Sequence, residues 1–159
     1  MVTAPDPQLV ASAASILQVA RTVAGDPLGW QRVLHFDPST RWYLRLSVQD
    51  DHEAWLLSWL PGQHTGWHDH GGSAGAFVVA FGALQEESTL PGGRMAARSV
   101  TAGRHRAFGP RHVHNVSNVS DRPAVSVHVY SPPLTSMNRY ELAGGRLTHL
   151  RSDTAGVGW

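Results

Sequence analysis

Two His-x-His pairs, His68-Asp69-His70 and His112-Val113-His114, are the residues in this 159-residue sequence whose types and spacing could do chemistry. In an extended strand, residues two apart point to one face, so each trio presents two imidazoles side by side with its middle residue turned away. Imidazole is the commonest protein ligand for divalent transition metals, and two on one rigid strand lose little freedom on closing around an ion. One such pair alone reads first as two half-exposed histidines on an edge strand. Two pairs in one chain favour a metal held by one pair and a histidine from the other strand. The segment 62–82, GQHTGWHDHGGSAGAFVVAFG, is the stretch around which the rest is organised.

A third group lies downstream, where Ser126, His128 and Tyr130 alternate with Val125, Val127 and Val129. Two readings are open. The valines face a core and the polar trio faces water, or a helix covers the valines from outside and the trio lines an interior pocket. In the second case Arg41, Tyr43, Arg45 and Ser47, which share one face of an upstream strand, line the same pocket.

The elements that must position these groups are legible as punctuation. Asp6-Pro7 predicts a helix start, and Leu9, Ala13, Ile16, Leu17, Ala20 and Ala24 form a stripe at helical spacing that Gly25 and Pro27 end. A short helical turn carrying Trp30 follows within 28–36. From position 41 the period becomes two, and short segments over 41–48, 54–60, 84–89, 94–101, 103–108, 124–130, 137–142 and 146–151 read as strands separated by Gly, Pro, Asn or Asp turns. That pattern predicts an all-β sandwich or barrel.

Composition narrows the function. The formal charge is +1 with histidine neutral, and the 13 basic residues are scattered, which argues against nucleic acid or an anionic membrane as partner. The chain contains no cysteine, so a disulfide framework, a thiolate metal site and a thiol nucleophile are all excluded. No run approaches the ~18 apolar residues of a membrane span, and the N-terminus lacks the basic start of a signal peptide, so a cytoplasmic protein is the simplest expectation.

Over roughly 41–133 the chain resembles the cysteine dioxygenases of the cupin superfamily, in their short bacterial form. The first cupin motif is met by Gly62, His68, His70 and Gly82, with Gly75 at its acidic position. The second is met by Gly103, His114 and Asn118, a register that chooses His114 over His112, with Gly109 and Arg111 where proline and glycine are usual. The run PAVSVHVYSPP over 123–133 is similar to the family's Ser-x-His-x-Tyr strand, and Tyr43-Leu44-Arg45 resembles its carboxylate-binding segment.

The resemblance implies a single cupin-type jelly-roll domain over 1–159, all-β, with one or two N-terminal helices (about 6–36) packed outside a barrel over about 41–151. It implies Fe(II) on His68, His70 and His114, with Arg45, His128 and Tyr130 as the catalytic group. Arg45, Tyr43 and Tyr130 would contact the substrate, Ser126 and His128 would support the tyrosine, and Arg41 is the alternative to Arg45 on the same face. The implied reaction converts L-cysteine and O2 to cysteine sulfinic acid, in a monomer or weak homo-oligomer. An arginine rather than a glutamine at the carboxylate position favours cysteine over 3-mercaptopropionate. The rival readings are another small-thiol dioxygenase, a cupin using Zn, Mn or Ni, and a cupin that binds a small molecule without catalysis. The tyrosine crosslink of animal members cannot form, because Gly75 stands at the cysteine position.

Overall fold

The computed structural model describes residues 10–156. The Asp6-Pro7 signal therefore lies outside the described residues, and the helix itself begins later than that signal predicts. Val10 and Ala11 are not helical, and α1 spans Ala13–Ala24 with Ser12 as its cap, the Ser12 hydroxyl accepting from the Ser15 N–H at 3.1 Å. A serine side chain satisfies one of the free amides of the first turn, which is sufficient to fix the boundary. Gly25 closes the helix. The expected turn around Trp30 is α2, Pro27–Trp30, capped by Asp26 and shorter than 28–36.

Eleven strands follow: β1 Trp42–Val48, β2 Glu53–Trp59, β3 Trp67–His68, β4 Ala74–Phe81, β5 Ala83–Thr89, β6 Met95–Thr101, β7 His105–Phe108, β8 His114–Ser117, β9 Ala124–Ser131, β10 Ser136–Ala143 and β11 Arg146–Thr154. They form two antiparallel sheets, one in the order β1-β2-β9-β4-β7 and the other β11-β10-β3-β8-β5-β6. Residues of both sheets meet in one core containing Trp55, Trp59, Phe77, Val79, Leu84, Val100, Phe108 and Val116. The described residues thus form a two-sheet β sandwich with two helices.

The helices decide which face of the five-stranded sheet looks inward. Ile16 and Ala20 of α1 pack on Ala54, Ala76, Val78 and Val129, and Trp30 of α2 packs on Leu56, Val125 and Val127. Burying side chains of this size stabilises the fold by about 1.5–3 kcal/mol each for the larger ones. With its valines covered from outside, β9 is buried along its whole length. Ser126, His128 and Tyr130 accordingly face the interior, and the register sets Val79 beside Ser126, Phe77 beside His128 and Gly75 beside Tyr130. Among the described residues, no helix is long and apolar enough to cross a membrane.

Candidate metal centre

Three imidazoles converge between the sheets. His68 ends β3 and lies opposite His114, the first residue of β8. The strand expected through the first His-x-His pair stops at His68, and His70 follows in a turn completed by Gly71 and Gly72. Gly71 has φ 59°, and a Cβ there would lie 2.5 Å from the Ser136 carbonyl oxygen, so only glycine lets the chain turn against β10. Asp69 is turned outward, where its carboxylate accepts from Gly71 N–H, from Asn138 and from the Tyr140 hydroxyl at 2.7 Å. That clamp pins the segment between the two histidines to β10.

The ring centroids are 4.9 Å apart for His68 and His70, 4.7 Å for His68 and His114, and 5.0 Å for His70 and His114. One nitrogen from each ring lies within 4.8 Å of the others. The remaining nitrogens define which faces inward. His68 Nδ1–H donates to the Gly66 carbonyl and His114 Nδ1–H donates to the Glu86 carboxylate, each at 2.9 Å, which leaves both Nε2 lone pairs free. His70 is 1 % exposed, and among the described residues neither of its nitrogens has a hydrogen-bond partner. A buried imidazole without a partner is costly unless a ligand supplies one.

Burial pushes all three rings below the ordinary histidine range, reinforced at His68 by His114 and at His70 by His68, and outweighing the Glu86 hydrogen bond at His114. Three neutral nitrogen donors, with no thiolate or carboxylate among them, fit a divalent first-row transition metal with positions left open for other ligands. A second grouping of Glu86, His112 and His114 is already joined by hydrogen bonds and carries the Arg106 guanidinium beside it. It is a hydrogen-bonded cluster, with the His112 Nε2 engaged by Glu86 at 2.9 Å.

Next to the imidazoles runs a chain of hydrogen bonds along β9. Trp59 Nε1–H donates to Ser126 Oγ at 2.8 Å, Ser126 Oγ lies 2.9 Å from His128 Nε2, and His128 Nδ1 lies 3.2 Å from the Tyr130 oxygen. Burial holds His128 well below the ordinary range, so the ring carries one proton. If the Ser126 O–H donates to Nε2, that proton sits on Nδ1 and is given to Tyr130, so the Trp59, Ser126 and His128 donors are all used. The Tyr130 O–H then remains to donate into the interior. Burial also raises the Tyr130 phenol far above its usual range, so it stays protonated. Its ring lies 4.9 Å from that of His70.

The two arginines of β1 and its approach are separated by the fold. Arg45 has 56 % of its side chain exposed, lies over Trp55 and pairs with Glu53 at 3.5 Å. Glu53 is buried, with its other oxygen accepting from Leu134 N–H, and it holds Arg45 at the rim. Arg41, by contrast, is 7 % exposed and stacks over Trp59 at 5.0 Å and Tyr43 at 5.8 Å. Among the described residues its Nε and Nη1 have no hydrogen-bond partner. It lies within electrostatic range of Tyr130, His68 and His128, and burial draws its guanidinium down from 12.5 to about 10. Tyr43 is part-buried, with its hydroxyl 3.5 Å from the Gly156 carbonyl.

Gly75 has a spatial role. A Cβ there would lie 2.7 Å from two ring atoms of Phe108 and 2.9 Å from Tyr130 Cδ1. Phe108 fills the volume beside the tyrosine and stacks on His70 at 4.8 Å. Glu86, Arg106 and Phe108 were not evident as site residues in the sequence. The available signal was the alternation of β5, where Glu86 shares the buried face with Leu84 and Ser88.

Solved structures with the same fold include TT1209 from Thermus thermophilus, at 20% identity and TM-score 0.58 over 65% of this chain and 93% of that one. An uncharacterised conserved protein with a double-stranded β-helix domain from Klebsiella pneumoniae aligns at 15% identity and TM-score 0.57, over 76% and 93% of the respective chains. An oxalate oxidase in complex with glycolate aligns at 19% identity and TM-score 0.53, over 59% and 52%. The sequence itself matches the family described as cysteine dioxygenase type I across residues 7–143, from before α1 to the end of β10. The chain therefore belongs to the cysteine dioxygenase type I family, metal-dependent thiol dioxygenases built on the cupin fold.

Proposed function

We propose that the protein oxidises L-cysteine with O2 to cysteine sulfinic acid, using Fe(II) held by His68, His70 and His114. The thiol sulfur gains both oxygen atoms of one O2, so RSH and O2 give RSO2H and the electron balance closes without a further reductant. Bound there, Fe(II) would supply open coordination positions and the redox chemistry that activates dioxygen. The observation that carries this reading is the convergence of three neutral imidazoles beside a buried tyrosine, with Arg41, whose Nε and Nη1 have no partner among the described residues, within electrostatic range of Tyr130 and His68.

The chain's own residues orient the substrate. Arg41 is the arginine suited to the carboxylate, since a charge-assisted hydrogen bond is strong where water is excluded and its Nε and Nη1 await an acceptor. Arg45, the arginine expected from the sequence, is engaged by Glu53 at the rim. Tyr130 keeps its proton and donates it as a hydrogen bond to the carboxylate or to the reacting oxygen, its oxygen held by His128, itself held by Ser126 and Trp59. Trp59 and Tyr43 flank Arg41 and fix its plane.

A second small thiol, 3-mercaptopropionate, shares the carboxylate that Arg41 would recognise and differs in lacking the amine. Comparing kcat/KM for the two thiols ranks them. The central test is oxygen uptake by protein shown to contain Fe(II). L-Cysteine should be consumed one-to-one with O2 and appear as cysteine sulfinic acid, and iron-loaded protein that turns over no thiol would defeat the reading.

A further inference from the structure

Behind the imidazoles the six-stranded sheet buries a carboxylate. Glu86 of β5 is 1 % exposed and lies opposite Val116 in the pairing with β8, which sets Ser88 opposite His114. Its Oε1 accepts from His114 Nδ1 and from His112 Nε2, both at 2.9 Å, and its Oε2 accepts from Arg106 Nε of β7. The donors come from β8, from the segment before it and from a strand of the other sheet. A buried carboxylate with three donors and a guanidinium beside it is compensated in charge and fixed in place.

We propose that Glu86 is the positioning carboxylate of the metal centre, holding His114 with its proton on Nδ1 and its Nε2 lone pair aimed at His68 and His70. Arg106 and His112 in turn hold Glu86. The proposal rests on the three-histidine reading given above.

A neutral imidazole has two tautomers, and its ring rotates about its bond to Cβ. Only one combination offers a lone pair to an ion shared with His68 and His70. A single bond from Nδ1–H to a fixed acceptor selects both tautomer and rotation, and an ionised acceptor also makes the opposite nitrogen a stronger donor. Of the three facing rings, among the described residues, His68 has a backbone carbonyl in this position, His70 has no partner, and His114 alone has a carboxylate. The second His-x-His pair thereby acquires two different tasks. His114 faces the ion and His112 holds its carboxylate, with the His112 ring stacked on Phe108 at 5.0 Å and 16°.

Zn(II), being diamagnetic, is the probe. Long-range 1H–15N spectra of the Zn(II)-loaded wild-type protein should show His114 protonated at Nδ1 with a slowly exchanging proton. Chelator competition should show Glu86→Gln binding Zn(II) about 10–100-fold more weakly, the range for loss of such a partner, with the Nδ1–H resonance shifted. A role confined to bridging the sheets would move neither the tautomer nor that resonance. A wild-type His114 protonated at Nε2 overturns the proposal without any variant, and so does Glu86→Gln binding Zn(II) within twofold of wild type. If His68→Ala and His114→Ala leave Zn(II) binding unchanged, the three-histidine reading itself fails and this proposal falls with it. Dependence on those histidines with indifference to Glu86 refutes the Glu86 role alone.

Discussion

Replacing Arg41 with methionine separates the two arginines and the two roles an arginine can have. The drop of the Arg41 pKa from 12.5 to about 10 means that keeping this guanidinium charged costs the fold about 3 kcal/mol, chiefly through desolvation. Stacking on Trp59 and Tyr43 returns about 1 kcal/mol. A methionine of similar length removes the buried charge, so the ligand-free protein should be as stable as wild type or up to about 2 kcal/mol more stable. Activity should move the opposite way. A hydrogen bond to a charged group contributes about 1.5–3 kcal/mol, so kcat/KM for L-cysteine should fall about 10–150-fold in Arg41→Met. The loss for 2-aminoethanethiol, which lacks the carboxylate, should stay under about threefold, since the bond in question is then absent from both proteins. Arg45→Gln, with an exposed side chain tied to Glu53, should change the cysteine value by less than about threefold. Urea denaturation and steady-state oxygen uptake on the three proteins supply all the numbers. Equal losses for both thiols, or a larger loss from Arg45→Gln, would refute the carboxylate role of Arg41. A marked destabilisation of Arg41→Met would make Arg41 a structural residue.

Other consequences are equally accessible. His114→Ala should lose stoichiometric Fe(II) binding while His112→Ala retains it with weaker affinity, and metal analysis after gel filtration gives the answer; the reverse result would put the wrong histidine at the ion. Gly75→Ala should destabilise the protein by about 1–3 kcal/mol, because the added methyl meets the Phe108 and Tyr130 rings at under 3 Å, and an unchanged melting temperature would show that Phe108 yields freely. The metal-free protein should lose stability as pH falls below 6.5. His68, His70, His114 and His128 are held neutral by burial, so the unfolded chain binds more protons there, and each group contributes up to about 1.4 kcal/mol per pH unit. Glu86, held well below the usual carboxylate range by His112, His114 and Arg106 against the opposing effect of burial, titrates outside this window. Chemical denaturation at pH 7.5 and 5.5 should therefore differ by more than about 1.4 kcal/mol, and no difference would mean that these rings are already protonated or exposed.

The period-two alternation of β9 and of the β1 region was legible in the sequence because strand geometry fixes which residues share a face. It could not say which face looks inward. That was decided by α1 and α2, whose apolar sides cover Val125, Val127 and Val129 and so turn Ser126, His128 and Tyr130 toward the interior where the three imidazoles converge. The sequence reading placed the start of α1 at Asp6-Pro7, whereas the described helix runs over Ala13–Ala24 with Ser12 as its cap, a residue that reading passed over.

Spacing and residue type by themselves determined that the chain carries two His-x-His pairs, a polar stripe ending in Tyr130, no thiol of its own, and strands enough for a sandwich. These are local properties, set by chemistry and by the repeat of the backbone. Tertiary structure alone decided that Arg41 is buried while Glu53 keeps Arg45 at the rim, beside a bulge between Arg45 and Ser47 that no alternation pattern announces. It also decided that Glu86, one acid in a strand of mixed composition, meets His112, His114 and Arg106, and that Phe108 takes the space above Gly75. Those relations join residues far apart in the chain, and their energies depend on burial, which exists only once both sheets have closed.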